Sequence, residues 1–149
     1  MPVGEVFIDS TTFLYSHDIR DADKRAKAIK WLRRLTEMDL GRTNLQVLNE
    51  VTNVLIKKAY HFQTGDPFAT VDVFADFGST AVTPETVEIA RMVHHRYRYS
   101  WWDCLLLASA LELECTHFLS EDLQDGQRIG GLTIIDPFAH SPEQIISSR

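Results

Sequence analysis

The sequence is short of cysteine, of phosphate-cradling glycine loops and of positive charge, and each shortage removes a class of protein. Its 149 residues include two cysteines, Cys104 and Cys115. They lie eleven positions apart in what reads as one helix, a rise of roughly 16 Å that no disulfide spans. Two buried thiols in a reducing cytosol are therefore expected, not a disulfide-stapled secreted domain. No apolar run approaches the ~20 residues of a membrane-spanning helix. The N-terminus lacks the basic-then-apolar order of a signal peptide, so a cytoplasmic protein with no membrane association is expected. Neither Gly-x-Gly-x-x-Gly nor Gly-Lys-Ser/Thr occurs, which removes the usual phosphate loops. The Gly-x-Ser-x-Gly elbow of serine hydrolases is missing too. The six histidines show no paired ligand spacing, which disfavours zinc. The net charge of −6 is the wrong sign for a nucleic-acid binder. Any contact with phosphate must come from local basic clusters or from cations that the acids hold.

What remains is ordinary in size and patterned in order. The length suits one hydrophobic core, with residues 1–138 as a single domain and 139–149 as a loosely held C-terminal tail. Val3–Ile8 reads as a short strand ended by Asp9. Asp21 caps a helix with Ala22, Ala26, Ile29, Leu32 and Leu35 on one face. A brief extended stretch at Gly41–Asn44 precedes a helix carrying Leu45, Leu48, Val51 and Leu55. Asp66-Pro67 and Thr83-Pro84 are cap-plus-proline helix starts; Phe68, Val71, Phe74 and Phe77 should face inward, and Gly78 should end the first of these helices. Ser79–Val82, Thr116–Leu119 and Leu132–Ile135 read as strands, and Ser100 caps a helix running to about Glu114. Short strands alternating with helices predict an α/β sandwich with a mainly parallel sheet. Ligands of such sheets bind at the C-terminal edge of the strands.

Four acids belong to that edge: Asp9 after the first strand, Glu50 two turns into its helix, Asp103 in the first turn of its helix, and Asp122 after Thr116–Leu119. Each has a plainer reading. Asp9 can cap a helix at Ser10–Leu14, and Glu50 can be a solvated face residue. Asp103 can close a capping box with Ser100, and Asp122 can be a turn residue. Convergence of all four is harder to explain as capping. Clustered carboxylates raise one another's pKa and oppose folding unless a hard cation compensates. Mg²⁺ or Mn²⁺ with oxygen ligands and phosphodiester chemistry is the expectation.

These residues resemble a known family. Val6–Tyr15 around Asp9, Gln46-Val-Leu-Asn-Glu50, Ser100-Trp-Trp-Asp103 and Phe118-Leu-Ser-Glu-Asp122-Leu look like the four acidic motifs of PIN-domain nucleases. Leu132–Phe138 resembles the last strand of the bacterial toxin branch, the VapC toxins. The similarity covers roughly residues 3 to 138. It implies a three-layer α/β/α fold, Mg²⁺ or Mn²⁺ dependence, endonucleolytic cleavage of RNA, a homodimer and a cognate antitoxin. It makes Asp9, Glu50, Asp103 and Asp122 the catalytic acids, Asp9, Asp103 and Asp122 metal ligands, and Ser10 and Ser120 their hydroxyl neighbours. Thr12 departs from the pattern, since many relatives carry Asn there.

For substrate contact, Arg91–Trp102 mixes cationic and aromatic residues and runs into Asp103. Arg96 and Arg98 can hold phosphates, and Tyr97 and Tyr99 can stack on unpaired bases; Trp102 reads better as core. Lys24, Arg25, Lys27, Lys30, Arg33 and Arg34 read as a solvated basic face. A haloacid-dehalogenase-type phosphotransferase needs a second acid two residues after the first, and Thr11 stands there. A non-catalytic RNA- or partner-binding module, and a maturation or repair nuclease outside any toxin system, remain as alternatives.

Overall fold

The computed structural model describes residues 4–146. Strand β1 (Val6–Ile8) is buried at every residue, as a central parallel strand covered on both faces must be. Asp9 ends it and caps α1 (Ser10–Tyr15). Asp21 accepts from the Lys24 amide at 3.0 Å and opens α2 (Ala22–Met38). After β2 (Gly41–Arg42), Asn44 accepts from the Val47 amide at 3.0 Å and starts α3 (Leu45–Lys57). Asp66 caps α4 (Pro67–Phe74), and Thr83 caps α5 (Pro84–Tyr97) through a capping box with Thr86. Ser100 opens α6 (Trp101–Glu112). The chain closes with β3 (His117–Leu119), β4 (Arg128–Ile129), β5 (Leu132–Ile135) and α7 (Pro142–Ile145).

The five strands lie in the order β2-β1-β3-β5-β4. All neighbours are parallel except β4, which runs antiparallel to β5. With its helices this is a three-layer α/β/α sandwich. From β1 the chain turns to β2 on one side and later returns as β3 on the other. The switch point, where such sheets open a crevice, therefore lies between β1 and β3. Phe7 and Phe118 stack across that pair with centroids 5.2 Å apart, an arrangement worth about 0.5–1.5 kcal/mol beyond burial. Register places Ile8 beside Leu119, so Asp9 and Ser120 leave the sheet side by side. Two buried polar links set the helices around this point. Thr43 Oγ1 donates to the Ile8 carbonyl at 3.0 Å. Asn44 Nδ2 donates to Ser109 Oγ at 2.8 Å, tying the start of α3 to α6. Gly78 closes the far end of the α3–α4 region: at φ 131° a Cβ would stand 2.8 Å from the Thr43 carbonyl oxygen.

Several expectations are corrected. β1 begins at Val6, and Val3 lies outside the described residues. Ser79–Val82 forms no strand: it is exposed throughout, and Thr80 makes a single bridge to Asn44. With neither face covered, its short apolar pattern has nothing to pack on. β4 was not foreseen, since two residues cannot display an alternation. The buried stripe of α2 is Ala28, Trp31 and Leu35, while Ala22 and Ala26 are exposed. Leu45 and Phe68 are exposed as well. Cys104 and Cys115 are buried and free, but Cys115 lies beyond the end of α6. Residues 139–146 are not loose. Trp31 Nε1 donates to the carbonyls of Pro137 and His140 at 3.0 and 2.9 Å, α7 packs on α2, and Ile146 is fully buried.

Candidate active site

Asp9 is the centre of the site. As the cap of α1 it accepts the Ser10 amide at 2.6 Å and the Ser10 hydroxyl at 3.3 Å, so the capping reading is correct as far as it goes. A cap is usually exposed, however, and this one is buried. Burial pushes its carboxyl up to about 7; the Ser10 amide opposes the shift, and the charges of Glu50 and Asp103 add to it. Glu50 is also raised, by burial first and by Asp103 in addition, against hydrogen bonds from Gln46 and Ser10. The structure thus brings Asp9, Glu50 and Asp103, from β1, α3 and α6, into one another's fields.

Asp103 lies at the third position of α6, where the Ser100 hydroxyl donates to its Oδ2 at 2.8 Å and accepts from its amide at 3.2 Å. Asp122 shares the edge but not the cluster. It is exposed in the turn after β3, held by Asp122 N and Leu123 N, each donating to Ser120 Oγ at 3.3 Å. None of the four acids forms an ion pair with a lysine, arginine or histidine among the described residues.

One residue emerges here that motif reading passed over. Gln46, one turn before Glu50, donates to Glu50 Oε1 at 3.4 Å and to the Trp102 carbonyl at 3.3 Å. It therefore bridges α3 to the start of α6. Its own Oε1 is buried and has no partner. The i,i+4 spacing of Gln46 and Glu50 was the available signal. Thr12, the departure from the family pattern, is fully buried with its hydroxyl unpartnered.

The residues expected to contact RNA lie at the end of α5 and in the link to α6. Arg96 and Arg98 are exposed, with Arg96 over the Tyr97 ring at 5.6 Å and Arg98 in a left-handed turn at φ 63°. Tyr97 and Tyr99 are half-buried against the core, and the Tyr99 hydroxyl donates to Gln127. Trp102, expected in the core, is 66% exposed.

Comparison with known families decides the kinship. The PIN-domain profile matches residues 6–128. The chain belongs to the PIN-domain family. PIN-domain nucleases generally use divalent metal ions. The same PIN fold recurs in a toxin–antitoxin complex from Klebsiella pneumoniae, at TM-score 0.65 and 17% identity over 89% of this chain and 98% of that one. It recurs in VapBC2 from Rickettsia felis, bound to a promoter DNA fragment, at TM-score 0.63 and 11% identity over 87% and 96%. The sarcin-ricin-loop-cleaving toxin VapC20 of Mycobacterium tuberculosis aligns at TM-score 0.55 and 19% identity over 76% and 87%. A search among curated proteins gives no match.

The PIN acids fit a hydrated hard cation better than a fully dressed one. Their donors are all oxygen, their charges are uncompensated by the chain, and the orphaned Gln46 oxygen is suited to a water. Yet no three His, Cys, Asp or Glu side chains among the described residues are grouped closely enough to hold an ion by themselves. An ion that retains several waters and takes only a few carboxylates, as Mg²⁺ does, suits that spacing.

Proposed function

We propose that this PIN domain is a Mg²⁺- or Mn²⁺-dependent endoribonuclease and the toxin of a toxin–antitoxin pair. One observation carries the reading: an aspartate at the sheet's switch point, raised first by its burial and further by two neighbouring acids, and given no counter-charge by its own chain. Asp9 and Asp103 would hold the ion, with Asp122 completing the set from the loop after β3. When bound, such an ion lowers the pKa of a bound water and steadies charge on the attacked phosphate. Glu50, raised by burial first, would accept the proton of the attacking water. Gln46 orients Glu50, Ser10 orients Asp9, Ser100 orients Asp103, and Ser120 holds the turn beneath Asp122.

An acidic chain attracts RNA poorly at long range, so capture falls to Arg96, Arg98 and the held cation. Tyr97 and Tyr99 are the candidate stacking residues, each contributing about 1–3 kcal/mol if a base stacks on it. Three toxin or toxin–antitoxin structures share the fold, and one of those toxins is described as cleaving the sarcin-ricin loop. They support an unpaired RNA loop as substrate and an antitoxin as partner. We place the protein, as a homodimer, in the cytoplasm; no helix among the described residues is long and apolar enough to cross a membrane.

The test is cleavage mapping of a structured RNA, its isolated loop and a paired duplex, with Mn²⁺, with chelator, and with Asp9→Asn. Cleavage of the loop by wild type alone, lost on chelation, is expected. Undiminished cleavage by a clean Asp9→Asn preparation would place the chemistry elsewhere. For the toxin role, expression alone should slow growth and co-expression of the neighbouring gene should relieve it. Harmless expression of active enzyme would favour a maturation nuclease.

A further inference from the structure

Asp122 is the acid that the sheet constrains least: it is exposed, three residues past the end of β3. Its neighbour Glu121 reaches α2, where its carboxylate receives Lys24 Nζ. Lys24 is unlike the other two lysines of that helix. Lys27 and Lys30 pair with Asp23 and Glu143 at side-chain exposures of 47% and 57%, exposed contacts that hold a side chain only weakly. The Lys24 side chain is 29% exposed. Its ammonium lies 4.8 Å from the Tyr15 ring centre and 5.2 Å from that of Phe138. Those two rings meet edge to face at 5.1 Å. A cation caged by two aromatic faces and one carboxylate is held in one place.

The cage joins four segments that the fold brings together from far apart in sequence. These are the end of α1 (which begins beside Asp9), the first turn of α2, the turn after β3, and the segment after β5. We propose that Lys24 is a positioning residue of the candidate nuclease site: by anchoring Glu121 in the Tyr15–Phe138 cage, it fixes the Ser120–Asp122 turn and so delivers Asp122 to the edge shared by Asp9 and Asp103. The ordering of the turn stands on geometry alone, whereas its catalytic consequence rests on the nuclease reading above.

The test compares Lys24→Met, Lys24→Arg, Glu121→Gln and, as a control from the same helix, Lys27→Met. Three measurements are made: hydrogen exchange at the Asp122 and Leu123 amides in metal-free protein, Mn²⁺ affinity by calorimetry, and kcat and KM for RNA cleavage. Lys24→Met and Glu121→Gln should speed exchange at those two amides by about tenfold. They should also weaken Mn²⁺ binding and lower kcat with KM unchanged. Lys24→Arg should restore all three, Lys24→Met combined with Glu121→Gln should be no worse than either alone, and Lys27→Met should match wild type. Wild-type exchange at Asp122 and Leu123 in Lys24→Met overturns the proposal, and so does a loss that raises KM alone. If Lys24→Met does not fold, Glu121→Gln breaks the same pair from the loop side and is judged by the same outcomes. A wild type that neither binds Mn²⁺ nor cleaves RNA would sink the nuclease reading, while the amide exchange would still decide whether Lys24 orders the turn.

Discussion

Asp9 and Asp18 stand near opposite ends of α1, and both are buried, at 8% and 3% exposure. Their environments are otherwise opposites. Asp18 receives the whole Arg20 fork, Nε at 3.0 Å and Nη2 at 2.7 Å, along with the Arg20 amide at 2.9 Å. Those hydrogen bonds hold its carboxyl below the usual range despite burial. Asp9 has one amide, one hydroxyl and two acids for neighbours, and its carboxyl rises to about 7. Burial therefore does not decide what an aspartate is for; the source of its counter-charge does. Asp18 is satisfied from two residues away, while Asp9 receives no counter-charge among the described residues.

The sharpest way to break this contrast is to neutralise each acid. Asp9→Asn should lose cleavage altogether, along with the stabilisation by Mn²⁺, which in wild type should reach about 2.7 kcal/mol at a hundred times the dissociation constant. Thermal melts with and without Mn²⁺ would show this, and an equal gain in both proteins would remove Asp9 from the metal site.

Titration is the next largest effect, and the two acids predict opposite signs. Asp9 is raised in the fold, so its contribution to stability is full below its unfolded value of 3.8 and is lost as pH rises through about 7. By linkage, metal-free protein should lose up to about 4 kcal/mol over that window, and Asp9→Asn should flatten the decline. Asp18 is lowered, so its contribution is present above 3.8 and disappears as pH falls through its depressed folded value. Denaturant melts of wild type and Asp9→Asn at pH 5 and pH 8 check the first sign, and melts of wild type and Asp18→Asn at pH 5 and pH 2 check the second.

Asp18→Asn should cost about 1–3 kcal/mol, because it weakens charged hydrogen bonds to a buried group, yet leave cleavage intact. A cleavage defect equal to that of Asp9→Asn would erase the distinction. The smallest change is Ser100→Ala, expected to cost about 1 kcal/mol as a lost helix cap. It should also lower cleavage, since the same hydroxyl orients Asp103; a purely structural cap would leave turnover unchanged.

Local chemistry was the legible part of the sequence. Asp21, Asn44, Asp66, Thr83 and Ser100 each start the helix their side chains announced, because a cap needs only the next three residues. Asp9 was a candidate from the strand-edge rule and Glu50 from its acidic motif, while the coupling of their fields with Asp103 needed the fold. What stayed hidden depends on distant partners. Lys24 and Lys27 look alike on a basic helix face, and only Glu121, 97 residues beyond Lys24, distinguishes them. Trp31 is buried because the segment from Pro137 to His140, more than a hundred residues away, supplies the acceptors for its indole. Ser79–Val82 misled because its pattern is that of a strand while the fold leaves it uncovered.

The three tryptophans also divide the molecule optically. Trp31 is sealed from solvent, while Trp101 and Trp102 are 36% and 66% exposed beside Asp103. A quencher dissolved in the buffer reaches the pair and spares the sealed ring. Emission from the pair then reports arrivals at the acid edge, whereas blue-shifted emission from Trp31 reports release of the C-terminal segment that supplies its acceptors. One unlabelled sample thus carries two separable fluorescence channels, one for occupancy and one for unfolding.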